Sequence, residues 1–178
     1  FTDDPMYAVI FPDVEARIAK TRLLWRALLR YQLRYGEVYT TPTVSGVAAW
    51  AKPEKRDFPL WRTICTGFAL PLAVARFGKE ERERMMTIMR HADEIHKRIM
   101  PDPHWYLVVL GVDPACQGQG IGSGLLQPVL ERADTDSVPC YLEAVTAPNV
   151  VFYQRRGFQV VEEATILNVS VRCMMRTS

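Results

Sequence analysis

The sequence predicts one domain of mixed α/β class. Short apolar runs typical of strands alternate with segments in which apolar residues recur every three or four positions, as on one face of a helix. With 178 residues and 48% hydrophobic content, the chain can bury one core but is too short for two. A glycine-rich turn at 117–124 joins a predicted strand to a predicted helix and is the most informative segment.

The first predicted elements are a helix and a hairpin. Apolar residues at helical spacing predict a helix over 14–35, which begins after the N-cap Asp13 and ends at Gly36. Two β-rich segments on either side of Pro42 predict an antiparallel hairpin.

The middle of the chain predicts an irregular segment and then a second long helix. Prolines and glycines interrupt residues 52–78, where only the stretch PLWRTI at 59–64 favours a short helix. Over 79–100 an apolar stripe coincides with acidic residues at the start and basic residues at the end. A helix macrodipole favours this order of charges.

The remainder of the chain alternates strands and helices. Pro128 lies inside a predicted helix, where its missing N–H predicts a kink. The predicted elements are a strand at 104–113, a helix from the glycine turn to 134, a strand at 139–146, a short helix from Asn149, and strands at 158–162 and 165–176.

Charge, cysteine content and apolar run length exclude several classes of protein. The net charge of +2 and the pI near 8.4 are too mild to indicate a nucleic-acid partner. Four cysteines without CxxC pairing or zinc-finger histidines predict neither a metal site nor a disulfide framework, and indicate a reducing compartment. The longest apolar run, at 68–75, is too short to span a bilayer, so we expect a cytoplasmic protein without membrane contact.

The glycine-rich turn predicts an anion-binding cradle. Glycines at 118, 120, 122 and 124 allow positive φ angles and close approach, so that backbone N–H groups can converge just ahead of a helix. The helix N-terminus adds unpaired donors and a partial positive charge, which suit a phosphate or diphosphate.

Two common phosphate-binding motifs do not fit this turn. A P-loop requires a lysine after its glycines, and no lysine follows Lys97 in the chain. A dinucleotide fingerprint requires a third glycine where this sequence has Ser123, or Leu125 in the alternative register.

The turn resembles the QxxGxG acyl-CoA signature of the GNAT superfamily of N-acetyltransferases. The signature covers Gln117 to Gly122. A second motif of that superfamily is matched downstream by its asparagine, FY and GF positions, which are Asn149, Phe152, Tyr153, Gly157 and Phe158. Within the superfamily, residues 104–163 are most similar to the puromycin N-acetyltransferase branch.

The resemblance implies a specific form of the fold. We expect a GNAT-like, mostly antiparallel twisted sheet with helices on both faces, and a family strand that would precede Phe1 and that this chain does not include. Residues 1–103 would form the acceptor-side half, and residues 104–178 the acetyl-CoA-binding half with the C-terminal strands.

The resemblance also implies the cofactor and the residues that hold it. Acetyl-CoA is the expected cofactor. The backbone of Gly111 and Val112 would bond its pantetheine arm as if the arm were an added strand, and Asn149 would also bond the arm. The hydroxyl of Tyr153 would protonate the leaving sulfur. The diphosphate would be bound by backbone N–H groups of Gln117, Gly118, Gln119, Gly120, Ile121, Gly122 and Ser123.

The general base and the acceptor contacts are less closely defined by the sequence. An amine with a pKa near 10.4 arrives protonated, so a base must take its proton, and His104 and Glu143 are the two candidates. The aromatic residues that could line the acceptor site are Tyr31, Tyr35, Trp50, Trp61 and Tyr106.

The sequence therefore predicts an acetyltransferase that moves the acetyl group of acetyl-CoA to the primary amine of a small molecule by direct attack. The protein is expected to be a monomer or a homodimer. Two alternatives remain open: a non-catalytic acyl-CoA sensor or partner-binding module, and a nucleotide-binding domain. The acceptor amine is not defined by the chain.

Overall fold

The structure is a computed structural model that describes residues 4–53 and 69–177. Its helices are α1 (Pro5–Ile10), α2 (Val14–Tyr35), α3 (Ala69–Ala75), α4 (Lys79–Ile99), α5 (Ile121–Asp136) and α6 (Ala147–Gln154). Its strands are β1 (Glu37–Thr40), β2 (Gly46–Ala51), β3 (Trp105–Val112), β4 (Cys140–Ala144), β5 (Gln159–Ile166) and β6 (Val169–Arg176).

The six described strands form one sheet in the order β1-β2-β3-β4-β6-β5. Every neighbouring pair is antiparallel except β3 and β4, which run parallel. Leu142 of β4 packs with residues of α5 and α6, whereas its neighbour Tyr141 packs with residues of α4. Successive side chains of a strand point to opposite faces, so helices cover both faces of the sheet. The predicted mixed α/β class is confirmed.

Several predicted boundaries are confirmed because local signals set them. α2 begins after Asp13, whose side chain accepts from the N–H of Ala16, and it ends at Gly36. α4 begins after Gly78, whose N–H donates to the side chain of Glu81 at 2.7 Å. α5 continues without interruption through Pro128, and the predicted kink there stays a prediction.

Two features differ from the prediction. The segment 52–78, predicted to be irregular apart from a short helix at 59–64, contains α3. The predicted short helix at 59–64 lies outside the described residues. The last hairpin turns at Leu167 and Asn168, which both have positive φ as a tight two-residue turn requires, so β5 continues to Ile166.

One helix was not predicted. α1 begins after Asp4, whose carboxylate accepts from the N–H of Met6 at 2.9 Å, and Pro5 occupies its first turn. An N-cap aspartate followed by proline is a recognised helix-start signal, but six residues are too few to show an apolar period.

Gly36→Ala is expected to destabilise the fold. A Cβ at this position would meet the side-chain oxygen of Gln32 and the backbone carbonyl oxygen of Trp50. That carbonyl belongs to β2 and cannot move aside, so we expect a loss of about 2 kcal/mol in the free energy of unfolding. Urea denaturation measures this loss, and an unchanged midpoint and slope would contradict it.

Candidate functional site

A gap opens in the sheet between β3 and β4. The two strands pair only at Trp105 with Cys140 and at Tyr106 with Tyr141. Immediately beyond this point β3 carries an extra residue, Val108, opposite the step from Ala49 to Trp50 on β2. Such a β-bulge bends a strand, and the rest of β3 remains paired with β2 alone.

The backbone of β3 presents N–H groups to this gap. The N–H of Asp113 donates to the carbonyl oxygen of Ser45 at 2.8 Å, on the β2 side. Because backbone groups alternate along a strand, the N–H of Gly111 also faces β2, whereas those of Leu110 and Val112 face the gap. Leu110 was not singled out by the sequence, since its direction depends on the strand register.

The predicted cradle follows directly after β3. Gly118 and Gly120 have φ angles of 77° and 80°, in the left-handed region that favours glycine. The first backbone hydrogen bond of α5 runs from the N–H of Gly124 to the carbonyl oxygen of Gly120, at 3.0 Å. The N–H groups of residues 121–123 therefore precede the helical hydrogen bonding, at the positive end of the macrodipole.

Two contacts fix the cradle in place. The side-chain amide of Gln117 donates to the carbonyl oxygen of Val112 at 3.2 Å, which ties the turn to the end of β3. A Cβ on the buried Gly122 would lie 3.2 Å from the ring of Phe152, so the absence of a side chain lets α5 approach α6 closely.

Arg156 adds a cation to the cradle. Its guanidinium lies over the Phe152 ring, 3.4 Å from the ring centroid, and donates to the hydroxyl oxygen of Ser123. The sequence motifs did not single out this residue. The basic pair after the FY motif was the available signal, but sequence alone does not show which arginine turns back towards α5.

Asn149 and Tyr153 occupy one side of α6, four residues apart. The N-cap of this helix is Thr146, whose hydroxyl accepts from the N–H of Asn149 at 3.4 Å, so the exposed Asn149 side chain is not used as the cap. The Tyr153 ring is buried edge-on against Phe152 and Phe158. Burial raises the pKa of Tyr153, so its hydroxyl holds its proton at neutral pH.

Glu143 and Tyr106 meet where the gap begins. The Tyr106 hydroxyl donates to the Glu143 carboxylate at 2.8 Å. Both side chains lie on the face of the sheet that α4 covers, because Glu143 is two residues beyond Tyr141. Burial raises the pKa of Glu143 to about 7, and the hydrogen bond from Tyr106 opposes part of that rise.

His104 lies at the closed end of the β3–β4 pair. It is 3% exposed, and its Nδ1 lies 2.7 Å from the carbonyl oxygen of Asp102. Its Nε2 lies 2.6 Å from Nε2 of His96. Both ring nitrogens are thus engaged within the protein, whereas Glu143 borders the gap.

The predicted acceptor-side aromatic residues are dispersed. Tyr106 lies at the gap. Tyr31 and Tyr35 pack against each other on α2 with ring centroids 5.0 Å apart, and Trp50 is fully buried in the core beneath α5 and α6. Trp61 lies outside the described residues.

The residues present fit the diphosphate and arm of coenzyme A. Exposed glycines, the N–H groups of residues 121–123 and the Arg156 guanidinium lie together at the start of α5. The N–H groups of Leu110 and Val112 continue from that point along the gap. Such a surface suits an anionic head followed by an extended amide-containing chain.

Comparison with known families agrees with this geometry. Residues 74–160, which include α4, the cradle and all of β3 to α6, match the family described as the acetyltransferase (GNAT) domain. This match supports a GNAT acetyltransferase domain. It spans the two motifs on which the resemblance was based.

Two curated acetyltransferases are similar to parts of this chain. A mycothiol acetyltransferase of Brachybacterium faecium is 39% identical over 141 residues, covering 67% of this chain and 43% of the relative. An uncharacterised N-acetyltransferase of Schizosaccharomyces pombe is 36% identical over 67 residues, covering 38% of this chain and 26% of the relative. The chain thus spans less than half the length of these relatives.

Solved structures share the fold. A Corynebacterium glutamicum protein described as histone acetyltransferase HPA2 and related acetyltransferase aligns with a TM-score of 0.66 and 22% identity, covering 100% of this chain and 85% of its own. A Drosophila melanogaster polyamine N-acetyltransferase that forms N-acetylagmatine aligns with a TM-score of 0.51 and 12% identity. The alignment covers 76% of this chain and 70% of the Drosophila chain. The predicted GNAT-like fold is confirmed.

Among the helices between residues 4 and 53 and between 69 and 177, none combines the length and the apolar character that a bilayer crossing requires.

Proposed function

We propose that the protein transfers the acetyl group of acetyl-CoA to the primary amine of a small molecule by direct attack. One observation supports the proposal most strongly. The gap between β3 and β4 begins beside Glu143, and the anion cradle follows the end of the same strand β3. An anion site, strand-edge donors and a titrating carboxylate thus lie along one continuous path.

Binding would use backbone donors and one cation. The N–H groups of residues 118–123 and the Arg156 guanidinium would hold the diphosphate, while Asn149 and the N–H groups of Leu110 and Val112 would hold the arm. The N–H of Gln117, which the resemblance assigned to the diphosphate, already donates to the carbonyl oxygen of Pro114 at 3.4 Å. Acetyl-CoA supplies an acetyl group activated as a thioester. The N–H of Val112 is a donor of the kind that stabilises negative charge on a carbonyl oxygen.

Glu143 is assigned as the general base. An acceptor amine is mostly protonated near neutral pH and must lose a proton before it can attack. A carboxylate with a pKa of about 7 is half ionised near neutrality and is basic enough to accept that proton, directly or through water. His104 is assigned no proton transfer, because both of its nitrogens are already bonded.

Tyr153 is assigned as the general acid. Its raised pKa keeps the proton on the hydroxyl until a more basic atom, the departing thiolate sulfur, is formed nearby. Asn149 lies one turn earlier on the same side of α6, so a single ligand can contact both side chains.

Tyr153→Phe is expected to lower kcat about 100-fold and to leave the Kd for CoA nearly unchanged, because it removes a proton donor while keeping the buried ring. Tyr39→Phe is the matched control, since Tyr39 hydrogen-bonds Glu37 on β1, away from the gap. Equal turnover in wild type and Tyr153→Phe would remove Tyr153 from the role of acid.

The activity is tested by thiol release from acetyl-CoA in the presence of polyamines, aminoacyl amines and peptide N-termini. Release that depends on one of these amines supports the proposal. A CoA-binding sensor would bind the cofactor and release no thiol with any of them. A nucleotide-binding domain would be stabilised by ATP or NAD and not by CoA.

The acceptor is proposed only as a class. The resemblance to the puromycin N-acetyltransferase branch favours an aminoacyl or antibiotic-like amine, and small amines are also the substrates of the polyamine N-acetyltransferase with a similar fold. Cytoplasmic location and a monomeric or homodimeric state are part of the same proposal.

A further inference from the structure

Two buried histidines pack against Tyr106 and Tyr141, the tyrosines beside the proposed base. His96 projects from α4 and His104 precedes β3, and they are 8% and 3% exposed. Their Nε2 atoms are 2.6 Å apart. Because a carbonyl oxygen only accepts, Nδ1 of His104 must donate to the Asp102 carbonyl. In the neutral ring Nε2 then accepts from His96.

The hydrogen bond to His104 holds the His96 ring in an aromatic cage. The ring stacks on Tyr141 with centroids 4.3 Å apart and planes 9° from parallel. It also contacts the ring of Tyr106, with the ring centroids 4.7 Å apart and the ring planes at 55°. His96 thus touches both tyrosines of the last residue pair that joins β3 to β4.

The cage lies at the last residue pair before β3 separates from β4. Pairing with Tyr141 of β4 and Ala51 of β2 fixes the backbone of Tyr106, and the orientation of its ring then depends on what packs against the ring. That side chain carries the hydroxyl that donates to Glu143 at 2.8 Å. The titratable groups around Tyr106 and Glu143, contributed by α1, α4, β4 and β6, are Tyr7, His96, Tyr141 and Cys173.

We propose that the imidazole ring of His96 is a positioning group that holds the Tyr106 ring so that its hydroxyl stays on the Glu143 carboxylate. This inference rests on the proposed function for its catalytic meaning. The contact itself can be tested without turnover, through the ionisation of Glu143.

The matched variants are His96→Gln and His96→Phe. Glutamine keeps an N–H donor for His104 and lacks a ring, whereas phenylalanine keeps a ring between the two tyrosines and lacks the donor. A hydrogen bond to the ionised form of a carboxyl lowers its pKa, so releasing the Tyr106 hydroxyl should raise the pKa of Glu143 by about one unit. Glutamine should produce this rise, and phenylalanine should restore a value near that of wild type.

The experiment is an NMR titration of the Glu143 side-chain carboxyl in the full chain, with a thermal melt of each variant. Tyr106→Phe is the reference, since it removes the hydroxyl outright. The proposal expects the same upward shift in His96→Gln and in Tyr106→Phe, and no further shift in the double variant. An unchanged Glu143 titration in a folded His96→Gln protein would overturn it, as would shifts that add fully in the double variant.

The pH profile of kcat/KM gives the second readout. For His96→Gln the midpoint should move upward by about one unit, so that activity falls about fivefold at pH 7 and recovers in alkaline solution, with KM for acetyl-CoA unchanged. A merely structural role would lower the melting temperature and leave the midpoint in place, which would also overturn the proposal. If wild type acetylates no amine, the proposed function fails, and the NMR titration still decides the role of His96.

Discussion

Glu143→Gln is expected to lower kcat/KM for amine acetylation about 100-fold at neutral pH. The amide has nearly the shape of the carboxyl group and still accepts from the Tyr106 hydroxyl through its oxygen, so the packing at the gap is retained. What it loses is the ability to accept a proton from the ammonium form of the acceptor. The Kd for CoA, measured by calorimetry, should stay within about twofold, because no atom of Glu143 belongs to the cradle.

The same role for Glu143 predicts the direction in which kcat/KM changes with pH. The base acts in its ionised form, and the pKa of Glu143 is about 7, so kcat/KM of wild type should rise with pH through about 7. In Glu143→Gln this rise should be absent. Glu163→Gln is the matched control, since Glu163 lies exposed on β5 and only approaches Arg172 at 3.9 Å. A wild-type profile retained in Glu143→Gln would exclude Glu143 as the base.

Gly120→Val is expected to weaken CoA binding at least 100-fold. Gly120 has a φ of 80° and is the N-cap of α5, and no atom lies within 4 Å of the place where its Cβ would be. The expected effect is therefore one of backbone conformation and not of collision. A β-branched residue with this φ angle has a backbone strain of about 1–3 kcal/mol. A change in the turn conformation relieves the strain and rotates the N–H groups away from the anion that they would bind.

Gly124→Ala provides the control for this variant. Gly124 lies one turn later within α5, has ordinary helical geometry, and its Cβ would also meet open space. Alanine is the better helix former by about 1 kcal/mol, so this variant should bind CoA as wild type does and melt slightly higher. Equal CoA affinity in Gly120→Val and Gly124→Ala would show that the turn geometry does not bind the cofactor.

Local sequence signals predicted most of the helices and strands. Asp13 and Gly36 bound α2 through a side-chain cap and a glycine terminus, which depend only on neighbouring residues. The cradle was recognisable for the same reason, because glycine readily adopts the positive φ angles found at Gly118 and Gly120. The turn at Leu167 and Asn168 escaped prediction because neither residue is glycine.

Features of the site that depend on tertiary contacts were not predictable. The bulge at Val108 is defined by its pairing with β2, so the direction of the Leu110 N–H could not be read from the chain. Arg156 reaches Ser123, 33 positions earlier, across a helix packing that only the fold creates. The choice of Glu143 over His104 as the base depended on the burial of His104 and on its hydrogen bond with His96. The position of His96 in a predicted helix did not indicate that His104 would be its partner.

The proposed function depends on backbone N–H groups of residues 118–123 binding the diphosphate of coenzyme A, with its arm lying in the gap beside β3. The most direct measurement is an amide NMR spectrum of the full chain during titration with CoA. We expect the largest shifts on residues 118–123 and on Val112 and Leu110, and we expect them to saturate together. Unmoved amides at these positions at millimolar CoA, or shifts confined to other parts of the chain, would contradict it.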